Sequence, residues 1–258
     1  MERAGWRNRA RRWRSLLGAI GAAAVNLVFP PVCCGCGRLT GDAHAVCPSC
    51  WAGLRLIERP YCEILGTPFA IDPGRGAVSP QAIANPPVFD RLRSVSLHEG
   101  IARDLVHGLK YRDRTDLAAM MAEWMIRASD GAVAAADIIV PVPLHAFRLW
   151  RRKFNQSAEL ARCLCERAGK PYRPEALRRV RRTRRQVGLG ARAREENVRG
   201  AFAVPESARA SIEGKRVVLV DDVYTTGATV SAAARALKRA GAGDVTVLTF
   251  AMAMPETI

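Results

Sequence analysis

The stretch Val217-Val-Leu-Val-Asp-Asp-Val-Tyr-Thr-Thr-Gly-Ala-Thr229 constrains this chain more than any other. An apolar, β-branched run ends in two adjacent carboxylates, Asp221 and Asp222, and a short turn then leads into a pattern typical of a helix. The carboxylates can accept hydrogen bonds from vicinal sugar hydroxyls, whereas hydroxyls and backbone N–H groups in the turn suit a phosphate. The sequence therefore predicts a site for a phosphorylated sugar. The turn consists of Thr225, Thr226, Gly227, Ala228 and Thr229.

This pattern resembles the phosphoribosyl-diphosphate (PRPP) motif of type I phosphoribosyltransferases. The resemblance implies that Asp221 and Asp222 contact the ribose 2′ and 3′ hydroxyls and that the turn holds the 5′-phosphate. Gly227 would let the backbone approach the ligand closely. A strand end followed by a solvated turn is the alternative, but it does not explain the acids and the Thr/Gly cluster together. A P-loop nucleotide-binding protein is disfavoured because the chain lacks a GxxxxGK[ST] sequence.

Cysteines near the N-terminus form the second informative pattern. Cys33 and Cys36 make one CxxC pair, Cys47 and Cys50 make another, and ten residues separate the pairs. This is the ligand spacing of Zn²⁺, and four thiolates would complete a tetrahedron without an open position. We therefore expect a structural zinc ion whose binding supplies the folding energy of a short segment. Disulfide pairs or unliganded thiols are the alternatives.

The rest of the chain alternates between strand and helix patterns. Buried strands are expected at Ile138–Pro143, Val217–Val220 and Val245–Phe250, and helices at Arg103–Leu109, Asp116–Ala128 and Gln156–Ala168. Such alternation predicts an α/β fold with a mostly parallel sheet, of the kind that type I phosphoribosyltransferases have. Ligands of these sheets bind at the carboxyl ends of the strands, where the two acids lie.

Four segments follow from these patterns. Residues 1–30 predict a basic and apolar N-terminal helix, 31–70 a zinc-binding module, 71–94 a linker rich in Pro and Gly, and 95–258 the phosphoribosyltransferase-like domain. The Arg-rich start before an apolar run also resembles a secretory or twin-arginine signal. We favour a cytoplasmic protein, because zinc thiolates and free cysteines suit a reducing compartment. The apolar run is too short to span a bilayer, and no other segment comes close.

The chain is strongly basic, with a formal net charge of +16 that comes almost entirely from arginine. Such a charge suits nucleic-acid phosphates. It equally suits polyphosphorylated small molecules, and a general arginine bias of the source is a third explanation. Charge alone does not separate these three interpretations.

A set of motifs in order sharpens the resemblance. The set is Leu109-Lys-Tyr111, Val140–His145, Arg151-Arg-Lys-Phe-Asn-Gln156, Arg182–Gln186 with Leu189, Asn197 with Gly200–Phe202, and the PRPP motif. Together these motifs resemble the ComF family, phosphoribosyltransferase-like proteins with an N-terminal zinc segment. The resemblance covers about residues 30–252 and implies a link to DNA uptake and natural competence.

Two positions depart from the pattern of that family. Lys153 stands where the family usually has glycine, so this loop either gains a phosphate contact or loses flexibility. The family also often has a further CxxCG, of which this chain retains Cys62 while Leu65 replaces the second thiol. We therefore leave Cys62 out of the expected metal site.

The resemblance implies that a nitrogen nucleophile displaces pyrophosphate from C1 of PRPP, with Mg²⁺ bound to the substrate. Arg151, Arg152 and Lys153 would contact phosphate. The basic segment Arg182–Arg194 is the expected lid that excludes water, and its Arg184 and Arg185 would clamp pyrophosphate. A solvated basic loop is the alternative interpretation of this segment.

Two functions remain open from the sequence. One is a phosphoribosyltransferase that acts on a nitrogen acceptor which the sequence does not identify. The other is a non-catalytic sensor of PRPP or a nucleotide, whose basic surface contacts single-stranded DNA or a helicase of DNA uptake. The wider fold commonly forms dimers, so a homodimer is one option for either function.

Overall fold

The computed structural model describes residues 30–42, 45–111, 116–144, 154–181 and 191–254. The expected N-terminal helix at 1–30 lies outside these ranges, apart from its last residue. The chain divides into two compact units, Met1–Trp51 and Ala52–Ile258, and the larger unit contains the sheet. Among the described residues, no helix has the length and apolar character that crossing a bilayer requires.

A four-stranded parallel sheet forms the centre of the larger unit. Its strands are β1 (Arg91–Leu97), β2 (Ile138–Pro141), β5 (Arg216–Tyr224) and β6 (Asp244–Met252), in the spatial order β1-β6-β5-β2. Their runs of Val, Leu and Ile are buried, as expected of a parallel sheet covered on both faces. The predicted α/β fold with a mostly parallel sheet is confirmed.

Helices cover the sheet, and shorter elements connect them. The described helices are α1 (Pro48–Ala52), α2 (Pro80–Ala84), α3 (Gly100–Tyr111), α4 (Asp116–Ala128), α5 (Ala132–Ala135), α6 (Gln156–Ala168), α7 (Ala191–Val198) and α8 (Ala228–Arg239). Two-residue strands β3 (Arg178–Arg179) and β4 (Phe202–Ala203) pair antiparallel, and 3₁₀ turns occupy Pro174–Ala176 and Glu206–Ser211.

Side-chain alternation along β5 and β6 places helices on opposite faces. Val217, Leu219, Val245 and Val247 share a hydrophobic core with the buried alanines and Leu237 of α8. Phe250 points the other way and stacks on Trp124 of α4, with ring centroids 6.0 Å apart. The sheet is therefore enclosed, and its carboxyl edge is left for a ligand.

The segment between the expected zinc module and the expected phosphoribosyltransferase-like domain contributes to the sheet and to its core. β1 begins at Arg91, so the expected linker at 71–94 overlaps the first strand, and Ala82 and Phe89 lie in the same core as the sheet. The boundary between the two units follows Trp51 rather than residue 70. The sequence did not indicate this because the Pro- and Gly-rich composition of the segment is typical of a linker, whereas its few apolar side chains are buried.

Candidate functional site

The two acids lie at the carboxyl edge of the sheet, at the end of β5. Hydrogen bonds fix the Asp221 carboxylate, because its Oδ1 accepts from Ser157 Oγ at 2.7 Å and from the backbone N–H of Asp222 at 2.9 Å. Burial, and then the charge of Asp222, raise the pKa of Asp221 to about 7. The pKa of Asp221 therefore lies in the neutral range, well above that of an ordinary aspartate.

Ser157 owes its position to the start of α6. The side chain of Asn155 caps this helix, because its Oδ1 accepts from the Ser157 N–H at 3.2 Å. Its Nδ2 donates to the carbonyl of Val142, which follows β2, at 3.0 Å. Asn155 thus connects the end of β2 to the start of α6, and Ser157 of α6 in turn contacts Asp221 near the end of β5.

Asp222 is buried and pairs with a cation from another element. Lys110 Nζ, in the last turn of α3, lies 2.9 Å from Asp222 Oδ2. The lysine side chain is 21% exposed and the aspartate side chain 12%, so water screens the pair only weakly. Lys110 also acts to lower the pKa of Asp221.

The predicted phosphate turn separates β5 from α8. Thr225 and Thr226 are exposed, and Gly227 has a φ of 75°, in the left-handed region. The N-cap residue of α8 is Gly227, which has no side chain to cap the helix. The first-turn N–H groups of α8 therefore receive no acceptor from the N-cap position, an arrangement that suits an anion.

Tyr224 explains why position 227 is glycine. A Cβ built at Gly227 would lie 2.6 Å from the Tyr224 hydroxyl oxygen and 2.9 Å from its ring. The tyrosine ring meets Phe89 edge-on, with centroids 6.4 Å apart. Packing below the turn and the turn conformation thus both require a residue without a side chain.

His98, the residue after β1, interacts electrostatically with the charged groups at this edge. His98 N–H donates to the carbonyl of Met252, the last residue of β6, at 2.7 Å. Burial, and then the positive charge of Lys110, lower the pKa of His98. Both effects favour the neutral imidazole over the charged one, whereas the charge of Asp222 acts in the opposite direction.

The four expected zinc ligands come together in the smaller unit. The sulfur atoms of Cys33, Cys36, Cys47 and Cys50 all lie within 4.8 Å of one another. All eight cysteines of the chain are described, and none forms a disulfide. This donor set fits a structural Zn²⁺, because four thiolates fill its tetrahedral coordination.

Other predicted site residues lie outside the described part of the chain. They are Arg151, Arg152, Lys153, Arg184 and Arg185. Conversely, sequence reasoning missed Ser157 and the role of Lys110. The lysine belongs to a motif shared with the ComF family, but nothing in the local pattern pairs it with an acid more than a hundred residues away. Ser157 gave no signal.

Comparisons with known proteins agree with this architecture. A double zinc ribbon domain matches residues 24–82, and a phosphoribosyl transferase domain matches residues 165–256. The competence protein ComFC of Bacillus subtilis is 26% identical over 202 residues, covering 76% of this chain and 79% of the relative. The DNA utilization protein YhgH of Salmonella typhimurium is 34% identical over 230 residues, covering 86% of this chain and 96% of the relative. The chain belongs to the ComF family.

A further member of the ComF family, competence protein F of Haemophilus influenzae, is 37% identical over 111 residues. That match covers 43% of this chain and 48% of the relative. Among solved structures, the allosteric regulatory enzyme of purine biosynthesis matches 56% of this chain and 30% of its own. Its TM-score of 0.39 and identity of 24% are too low to bear on function.

Proposed function

We propose that this protein binds PRPP as its Mg²⁺ complex at the carboxyl edge of the sheet and transfers the phosphoribosyl group to a nitrogen acceptor. The observation that carries the proposal is the acid pair Asp221–Asp222, followed directly by an exposed Thr turn and an uncapped helix start. Carboxylates suit ribose hydroxyls, and helix N–H groups suit a phosphate. The phosphoribosyl transferase domain match over this segment supports the same interpretation.

Each part of the site has a defined task in this reaction. The C1–O bond of PRPP breaks, pyrophosphate leaves with the electron pair, and a C1–N bond forms while the acceptor loses a proton. Asp221 and Asp222 would orient the ribose, and the Thr225–Thr229 turn would hold the 5′-phosphate. The Mg²⁺ of the substrate complex would neutralise charge on the leaving pyrophosphate.

Ser157 and Lys110 act through the acids rather than on the sugar. Ser157 fixes one Asp221 oxygen, so the other oxygen is left for a ribose hydroxyl. Lys110 compensates the charge of Asp222 before the ligand binds. In this way two carboxylates can lie side by side in a low-dielectric edge without both being protonated.

The two basic segments keep the roles that the sequence suggests. We propose that Arg151, Arg152 and Lys153 contact the pyrophosphate side of the substrate. The segment 182–194 would close over it, with Arg184 and Arg185 as clamps. The DNA-related names of the ComF relatives support a role in DNA uptake or utilisation. We propose that the protein acts in the cytoplasm, and a homodimer is one option for its assembly.

Pyrophosphate release tests the transferase directly. The protein is incubated with Mg·PRPP and a panel of bases and amines, and pyrophosphate is followed with a coupled assay. We expect one acceptor class to give release that Asp222→Asn abolishes. Asp244→Asn is the matched control, because this acid pairs with Arg91 at the amino-terminal ends of the strands, away from the proposed site. Equal release by wild type and Asp222→Asn would contradict the proposed site.

A second function is favoured by the names of the relatives and by the basic charge. The protein would sense PRPP or a nucleotide and contact single-stranded DNA or an uptake helicase through its arginines. A lid gains protease protection at Arg184 and Arg185 when Mg·PRPP is added. A DNA-binding segment instead loses affinity steeply with salt, and loses it when both arginines become alanine. Unchanged cleavage together with lost DNA binding would favour the sensor.

A further inference from the structure

Two segments of the chain share one backbone pattern. We call residues 31–52 the first ribbon and residues 60–84 the second ribbon. The first contains all four expected zinc ligands. The second contains a single cysteine, Cys62.

The hydrogen bonds of the two ribbons correspond position by position. In the first ribbon, Val32 bridges Leu39, Cys33 N donates to the carbonyl of residue 38, and Gly37 N donates to the carbonyl of Cys33. Each has a counterpart 29 positions later (33 and 62, 37 and 66). The counterparts are the Tyr61–Pro68 bridge, the bond from Cys62 N to the carbonyl of Thr67, and the bond from Gly66 N to the carbonyl of Cys62.

The second half of each ribbon corresponds as well, with a displacement of 32 (47 and 79). Cys47 N donates to Cys33 Sγ at 3.2 Å, and Ser79 N donates to Cys62 Sγ at 3.2 Å. A helix that begins with proline follows in both ribbons, at Pro48 and at Pro80. The glycines at the knuckle turns, Gly37 and Gly66, both have a positive φ, at 73° and 61°.

This correspondence identifies what stands at each ligand position of the second ribbon. Cys62 matches Cys33. The remaining three ligands of the first ribbon are matched by Leu65, Ser79 and Ala82. One thiolate, one hydroxyl and two apolar side chains do not form a zinc site, because Zn²⁺ requires four donor atoms.

Apolar packing occupies the place of the metal. Leu65 is 6% exposed, Ala82 1% and Cys62 0%, and all three belong to the core that includes Phe89 and Leu92. Burying these side chains removes apolar surface from water and so stabilises the fold. The second ribbon thus gains its folding energy from the hydrophobic core, whereas the first ribbon must gain it from metal binding.

The second ribbon also pairs with the edge of the sheet. β1 is an edge strand, and its Leu92 N–H donates to the carbonyl of Ile64 at 2.8 Å. A Cβ at Gly66 would lie 2.5 Å from the Leu92 oxygen, so the knuckle lies directly against the strand. Arg93 of β1 donates to the carbonyl of Glu63 and pairs with its carboxylate at 2.9 Å. Covering an exposed edge in this way is a structural task that needs no metal.

We propose that the second ribbon is a zinc ribbon that has lost its metal site and is held by the sheet, so the protein binds one zinc ion and not two. The double zinc ribbon family implies two sites, and the second does not fit. Its folding is independent of metal. Chelation therefore unfolds the first ribbon and leaves residues 60–84 folded against β1.

Metal content and hydrogen exchange test the proposal. We expect one zinc per chain, lost in Cys47→Ser and retained in folded Cys62→Ser. A chelator should speed exchange across residues 31–52 and leave residues 60–84 protected. Two zinc ions per wild-type chain would overturn the proposal, as would loss of protection across the second ribbon on chelation.

Rebuilding the site gives an independent test. The variant Leu65→Cys/Ser79→Cys/Ala82→Cys supplies the missing thiols, and the Co²⁺-substituted protein reports each tetrathiolate site by its absorption. We expect twice the wild-type cobalt signal in folded protein, and a signal equal to that of wild type would overturn the position-by-position correspondence. If the triple variant does not fold, the zinc content of wild type and of Cys62→Ser still decides.

Discussion

Lys110 and Asp222 form an ion pair at the carboxyl edge of the sheet, with Nζ 2.9 Å from Oδ2. Lys110 lies in the last turn of α3, which follows β1, whereas Asp222 lies near the end of β5, so the pair connects separate elements. The positive charge of Lys110 lies beside two adjacent carboxylates and acts to lower the pKa of Asp221. The ionisation of the acid pair therefore depends on a residue outside the sugar-phosphate motif.

The raised pKa of Asp221 predicts a pH-dependent stability. In the unfolded chain this group titrates near 3.8, and in the folded protein at about 7. Between these values the folded state holds a proton that the unfolded chain has released. The contribution of Asp221 to the free energy of unfolding is therefore largest below pH 4, falls as pH rises to about 7, and is then constant.

Replacing Asp221 by Asn removes this titration. We expect the free energy of unfolding of Asp221→Asn, measured relative to wild type in urea, to increase by about 2–4 kcal/mol between pH 4.5 and pH 8. The comparison with wild type cancels the other titrating groups. A difference that stays constant with pH would show that the carboxyl group titrates normally.

Removing the charge of Lys110 should raise the pKa of Asp221. Lys110→Met takes away a positive charge that lowers the pKa of Asp221, so the midpoint for Mg·PRPP binding should shift to higher pH. Lys110→Arg retains the charge and should stay close to wild type. The measurement is affinity from pH 6 to 9 for the three proteins. A Met variant with the wild-type midpoint would refute the coupling.

Ser157 should matter for position rather than charge. Ser157→Ala removes the 2.7 Å hydrogen bond to Asp221 and should cost about 1–2 kcal/mol of stability. The pKa of Asp221 should rise further, because this hydrogen bond favours the carboxylate. Ser157→Thr keeps the hydroxyl and serves as the control. Unfolding in urea at pH 8 measures the cost, and equal stability of Ala and wild type would contradict it.

Alanine variants of Gly227 and Gly214 distinguish the cost of backbone strain from the cost of a steric contact with Tyr224. Gly227→Ala meets both a positive φ and Tyr224, whereas Gly214→Ala has a φ of 67° and nothing within 4 Å of its Cβ. We expect Gly214→Ala to cost about 1–2 kcal/mol from conformation alone. Gly227→Ala should cost more and should weaken phosphate binding. Thermal unfolding of both variants measures the loss of stability. An equal loss in the two variants would mean that Tyr224 moves aside without an energetic cost, which would contradict the prediction.

The sequence predicted the acid pair and its turn because their chemistry is local. A strand, two carboxylates and a helix start follow one another within thirteen residues. The partners Lys110 and Ser157 could not be predicted, since each reaches the acids through tertiary packing. A hydroxyl at the start of a helix is too common to indicate which carboxylate it contacts.

The extent of the zinc region could not be predicted from the sequence either, because the second ribbon is defined by tertiary contacts. Cysteine spacing identified the first ribbon, but the second ribbon shares its backbone hydrogen bonds and not its ligands. Leu65 and Ala82 are ordinary core residues in sequence, and the matched bridges and hydrogen bonds around Cys33 and Cys62 are what relate the two segments. The composition of residues 71–94 favours a linker, and Ala82 and Phe89 within this range belong to the core of the sheet.

Calorimetric titration with Mg·PRPP tests the central claim most directly. Wild type and Asp244→Asn should bind with equal affinity at pH 8. Asp222→Asn should lose about 1.5–3 kcal/mol of binding free energy, because a charge-assisted acceptor for a ribose hydroxyl is gone. Equal affinity of Asp222→Asn and wild type, with all three proteins folded, would contradict the assignment of the acid pair to the ribose.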